Sequence, residues 1–154
     1  PDCIISTGVA GGIDTCLKVM DVVVSRQIVY HDVWCGEGNA YGQIQGLPTF
    51  FNGDETLYNC AMSLDTETAI HGGLICSGDK FITDRSELDT IKGNFPEGLA
   101  VDMESAGRFV TCIKFRLSVS VSSAIHREQT SISNNTRISG EKWPTVPSTL
   151  QKHS

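Results

Sequence analysis

Two carboxylates, Asp102 and Glu104, flank Met103 where the apolar run Gly98-Leu99-Ala100-Val101 gives way to a helical pattern. A strand that delivers acids to its C-terminal end as a helix begins is where open α/β sheets build ligand sites. The alternative is that both acids simply favour a helix N-terminus, whose dipole stabilises negative charge. Three other stretches could do chemistry. The run Thr7-Gly8-Val9-Ala10-Gly11-Gly12 reads as a glycine loop whose backbone can approach a ligand with amides free to donate, or as an ordinary turn. It lacks the pattern G-x-x-x-x-G-K-[ST], which argues against a nucleotide P-loop. His31 beside Asp32 suggests a base and its orienter, but no nucleophile lies nearby, so a hydrogen-bonded structural histidine is the other reading. Phe81-Ile82 sits just past a strand end, another place where ligands bind.

These residues need elements to position them. Cys3-Ile4-Ile5, bounded by glycines, predicts a short buried strand. Asp21 to Ser25 and Ile28 to Tyr30 predict a long strand, followed by a glycine-rich loop from Gly36 to Gly46. Asp54 caps a helix whose Leu57, Ala61 and Leu64 keep the helical period. A strand from about Ala69 to Cys76 follows. Asp84-x-x-Glu87 reads as a capping box for a helix that runs to about Lys92 and stops at Gly93 and Pro96. A strand from Gly98 to Val101 and a helix from Glu104 complete an alternation that predicts an α/β fold. Further on, Leu117 to Ser123 alternates apolar residues with serine, a strand pattern.

The 154 residues suffice for one domain with a real core. No apolar run approaches the roughly 20 residues of a membrane helix, and no leader pattern opens the sequence. The six cysteines form no C-x-x-C pair, so neither a metal site nor a disulfide framework is expected, and reduced thiols in a cytoplasmic protein are. No cofactor is expected. Charge is uneven: residues 1–104 carry five bases against sixteen acids, and residues 105–154 seven bases against two acids. The basic part has no basic cluster and few aromatics, which argues against nucleic-acid binding.

Five motifs occur in order: T-G-x-A-G-G at Thr7 to Gly12, Y-H-D at Tyr30 to Asp32, S-G-D-x-F-I at Ser77 to Ile82, N-F-P at Asn94 to Pro96 and V-D-M-E at Val101 to Glu104. The set closely resembles the bacterial 5'-methylthioadenosine/S-adenosylhomocysteine nucleosidases of the purine nucleoside phosphorylase superfamily. The resemblance implies a three-layer α/β/α, nucleoside phosphorylase-like fold, here incomplete, and a homodimer that acts on small-molecule adenine nucleosides without a metal. The reaction it implies is hydrolysis of the adenine–ribose bond. By the same resemblance Glu104 binds the ribose hydroxyls, Met103 packs near the sugar, Phe81 stacks on adenine and the backbone of Ile82 reads its edge. Ala10 and Gly11 line the ribosyl side. Asp102 helps place the water, and stands where glutamate is common, so its reach is shorter. The loop from Cys35 to Gly46 corresponds to the wall of the neighbour's alkylthio pocket.

Breaking an N-glycoside builds positive charge on the ribose and negative charge on the departing purine. A carboxylate near the sugar stabilises the first, and an acid must protonate the second. Two parts of that machinery are missing from the expected places. Relatives begin with a strand and helix that carry the water-activating glutamate, so the chain is expected to be truncated at its start, with an exposed sheet edge. The motif I-S-D, whose aspartate serves adenine, is also absent. Joining each residue's third codon base to the first two bases of its successor, from Arg116 onward, can spell F-I-S-F-R-V-I-S-D. The expectation is a partial nucleosidase domain over residues 1–106 and an atypical basic tail over 107–154, frameshifted, poorly packed and leaving the chain inactive. Alternatives are a related phosphorylase, a futalosine-type hydrolase and a non-catalytic nucleoside-binding module.

Overall fold

A computed structural model of the chain describes residues 3–111 and 117–126. The long apolar strands are β1 (Ile4–Gly12), β2 (Val22–Tyr30), β4 (Ile70–Ser77) and β5 (Gly98–Asp102), with a two-residue β3 (Phe51–Asn52) and a late β6 (Leu117–His126). The helices are α1 (Glu55–Met62), α2 (Arg85–Asn94) and α3 (Ser105–Thr111). The strand order is β3-β2-β4-β5-β1-β6, and a further pairing of β2 with β6 curls the sheet round on itself. β2, β4 and β5 run parallel, whereas β1 meets β5 antiparallel and β6 parallel.

The apolar runs in β2, β4 and β5 are explained by burial on both faces, because successive strand residues point to opposite sides. In β4, Ile75 joins a core with Ala10, Val23, Ile28 and Ala100, closed by Ala106 and Phe109 of α3. Its neighbours Leu74 and Cys76 join a second core with Val29 and Val101, closed by Ile91 of α2 and by Phe95. One core on each face, each with a helix against it, gives the three layers of an α/β/α arrangement. Burial among these apolar groups pushes the Cys76 thiol up to about 12, so it acts as a small hydrophobe at neutral pH.

Two local expectations are revised. The glycine run Thr7 to Gly12 is not a loop but the second half of β1, in register with β6 from Thr7–Val121 to Gly12–His126. Pairing with β6 satisfies backbone groups that a loop would leave to water, and that partner lies over a hundred residues away in sequence. The capping box before α2 does not form: the Asp84 side chain caps no amide, and the Glu87 carboxylate is taken by Lys80 Nζ. Short-range charge attraction outcompetes the cap. The cap on α1 does form, with Leu57 N–H donating to Asp54 Oδ1 at 3.0 Å.

Among the described residues, β1 pairs with β6 alone from Ile4 to Ala10, and Ile5 and Val9 are exposed there. β6 continues the predicted strand of Leu117 to Ser123. Residues 112–116 and 127–154, over which the tail is expected to pack poorly, lie outside the described residues. The turn after β1 is fixed to the end of α2: Lys92 Nζ donates to Asp14 and, at 2.8 Å, to the Gly98 carbonyl.

Candidate functional site

Strand register brings together the motifs that the sequence holds apart. Gly11 of β1 stands opposite Val101 of β5, and Ser77 of β4 stands beside Asp102. β1 runs antiparallel to β5, so Ala10 and Gly11 pass beside the C-terminal ends of β4 and β5, from which the segments carrying Phe81 and Ile82 and Asp102 to Glu104 leave. Gly78 N–H donates to the Asp102 carbonyl at 3.1 Å, joining the last two segments directly.

Each residue then has a distinct setting. Ala10 is buried against the α3 core, which leaves the backbone of β1 as what Ala10 and Gly11 can offer. Ile82 is buried in the α2 core, so its side chain anchors the segment. Phe81, one residue earlier, is 64% exposed, and Met103 is 42% exposed. Each is a large apolar group exposed just past a strand end, of the kind that suits a flat, partly apolar ligand.

The two acids differ. Asp102 is buried, and both its oxygens face Ser105: Oδ1 accepts the backbone N–H at 3.3 Å and Oδ2 accepts the hydroxyl. In this arrangement Asp102 secures the start of α3. Replacing it with alanine removes two hydrogen bonds to a buried serine, and a loss of about 1–3 kcal/mol is expected in urea denaturation. Glu104 is exposed, and among the described residues its carboxylate has only a long 3.3 Å bond from the Met103 N–H. That weak bond leaves it free to turn to a ligand.

His31 is buried at the end of β2. Its backbone N–H donates to the Ser77 carbonyl at 2.9 Å and its own carbonyl accepts the Tyr41 hydroxyl at 2.8 Å, while its ring Nε2 has no partner among the described residues. Burial holds its pKa below the ordinary 6.5, against the pull of Asp32, Asp102 and Glu87. Asp14, held by the Lys92 ammonium and the Cys16 backbone, is lowered to about 2. For both groups the unfolded chain takes up a proton before the folded chain does, so acid destabilises. Stability should fall in two stages, the first beginning as pH drops through about 6.5 and the second below about 4. Urea midpoints across pH check this, and His31→Gln should remove the first stage.

Among the described residues no cluster of His, Cys, Asp and Glu could hold a metal ion. No helix among them is long and apolar enough to cross a membrane.

The family model described as the phosphorylase superfamily matches residues 1–143. The chain belongs to that superfamily. The 5'-methylthioadenosine/S-adenosylhomocysteine nucleosidase of Geobacillus kaustophilus (strain HTA426) is 42% identical over 120 residues, which cover 75% of this chain and 51% of the relative. Among solved structures, the nucleosidase of the same name from S. pneumoniae, with the transition-state inhibitor MT-ImmA, superposes with a TM-score of 0.74 at 33% identity, over 82% of this chain and 56% of that one. The nucleosidase from Colwellia psychrerythraea 34H, in complex with adenine, gives 0.73 at 33%, with the same coverage. This member of the superfamily spans about half the length of the curated relatives it matches.

By sequence, Y-H-D reads as a base with its orienter or as a hydrogen-bonded structural histidine. In the superfamily fold it has a physical task, since His31 and Asp32 abut the segment that follows β4. Nothing short of the pairing of Tyr30 with Ser77 could have revealed that contact.

Proposed function

We propose that the chain is the nucleoside-binding half of a hydrolase that cleaves the adenine–ribose bond of 5'-methylthioadenosine and S-adenosylhomocysteine. The observation that carries this reading is the meeting of three motif-bearing strands, with Ala10 and Gly11 of β1 beside the C-terminal ends of β4 and β5. Phe81 stacks on adenine and the Ile82 backbone reads its edge. Glu104 accepts the ribose hydroxyls, with Met103 against the sugar and Ala10 and Gly11 along the ribosyl side. The Glu104 carboxylate also stabilises the positive charge that grows on the ribose as the bond breaks. The whole enzyme works as a cytoplasmic homodimer in nucleoside and methionine salvage.

The 154-residue chain itself binds without turning over, because the reading assigns no residue of it to purine protonation or to general-base activation of water. We further propose that its frame has slipped near residue 106. The shifted reading places the aspartate of I-S-D across codons 124 and 125, and β6 pairs Ala124 with Ala10 and Ile125 with Gly11. That register supports the proposal, since it sets the lost aspartate beside the ribosyl strand. Stop codons scattered through the shifted frame of the coding DNA would refute the slip.

Titration calorimetry of the full chain with adenine and with a non-hydrolysable 5'-methylthioadenosine analogue tests the binding reading. Heat from both ligands, with no adenine released from the true substrate, is expected. No heat from either ligand ends it. Release of adenine only with added phosphate points to a phosphorylase instead, and preference for a futalosine-type nucleoside to that hydrolase.

A further inference from the structure

We infer that Asp32 is the positioning residue for the adenine platform, and that it acts by gripping the peptide two residues before Phe81. The inference rests on the proposed role of Phe81 and Ile82. Asp32 Oδ2 accepts the Asp79 N–H at 2.7 Å, a short charge-assisted bond across 47 residues of sequence. Asp79 and Lys80 are exposed, and Phe81 reaches further into solvent, so apolar burial does not hold this stretch. What fixes it is polar: the Lys80 side chain pairs with Glu87, and two successive backbone amides are held from opposite sides. Gly78 N–H is held by the Asp102 carbonyl, the next amide is held by Asp32, and the chain enters the core again only at Ile82.

The close approach is built in. A Cβ on Gly78 would stand 2.5 Å from His31 Nε2 and 2.7 Å from the Asp32 carboxyl carbon, so only glycine lets the Y-H-D strand end lie against this turn. The grip is itself anchored. Tyr41 donates to the His31 carbonyl, and its ring stacks on Phe95, which shares a core with Ile82. Asp32 thus connects the long loop after β2 to the segment that presents Phe81, without touching the ligand.

Two measurements on the full chain test this. In the wild type, hydrogen exchange should show the exposed Asp79 amide protected. Asp32→Ala should speed exchange from Asp79 to Ile82 and weaken adenine binding about tenfold, with the melting temperature shifted by only a few degrees. Asp32→Asn keeps an oxygen acceptor in the same place and should restore both to within about threefold of wild type. Free exchange of the wild-type Asp79 amide overturns the inference even if Asp32→Ala fails to fold, and so does unchanged exchange in a folded Asp32→Ala. A wild type that binds no adenine defeats the proposed function, while the exchange data still decide the role of Asp32.

Discussion

Glu104→Gln weakens binding of an adenosine analogue about 10- to 100-fold and leaves the affinity for free adenine unchanged. The expected loss follows from the chemistry of the contact. A ribose diol offers two O–H donors, and a carboxylate can accept both; a glutamine of the same shape must turn an NH2 group toward one of them. Losing one charge-assisted hydrogen bond costs about 1.5–3 kcal/mol, or roughly 10- to 150-fold in affinity. The fold should tolerate the change, because the side chain is exposed and its 3.3 Å bond to the Met103 N–H can be made by either oxygen acceptor. Its carbonyl continues to receive Arg108 N–H at 3.3 Å. Calorimetry with the two ligands separates the terms: adenine has no ribose, so equal weakening of both would mean that Glu104 acts on the platform rather than on the sugar.

Gly42→Ala is expected to remove about 3–5 kcal/mol of stability, a large share of what a domain of this size has. Gly42 sits at φ +85°, where an L side chain costs about 1–2 kcal/mol. A methyl group there would also lie 2.5 Å from the Tyr30 carbonyl oxygen, 2.9 Å from Val29 Cγ2 and 3.0 Å from Phe95 Cζ. The carbonyl cannot retreat, because Tyr30 is paired with Ser77 in the sheet. The loop would have to lift instead, straining the 2.9 Å bond from Gly42 N–H to the Val33 carbonyl and overpacking a buried aromatic. Gly38 is the internal control. Its φ is +89° but nothing stands within 4 Å of a Cβ there, so Gly38→Ala should cost only about 1–2 kcal/mol. Urea unfolding at constant slope compares the two, and equal losses would show that the contact at Gly42 carries no weight.

The sequence by itself determined the class of elements and much of their placement. Apolar runs in β2, β4 and β5 announced strands, and the structure adds that two separate cores cover both of their faces. Asp54 announced the start of α1 because a cap needs only a side chain and an amide three residues on. Five ordered motifs pointed into the superfamily to which the chain belongs. Where a local rule failed, a partner outside its window had intervened. Glu87 was drawn to Lys80, and the glycine run of β1 was made a strand by β6.

The site lay beyond local rules altogether. That Gly11 faces Val101, that Ser77 lies beside Asp102 and that Asp32 grips Asp79 are facts of register between distant strands. Register is set by which apolar faces must be buried together, and no single segment contains that information. The same holds for the two acids of V-D-M-E, alike in sequence. Tertiary structure buried Asp102 against Ser105 and left Glu104 exposed at the rim, because the last residue of β5 turns both oxygens to the start of α3 while Glu104 stands past the strand's end.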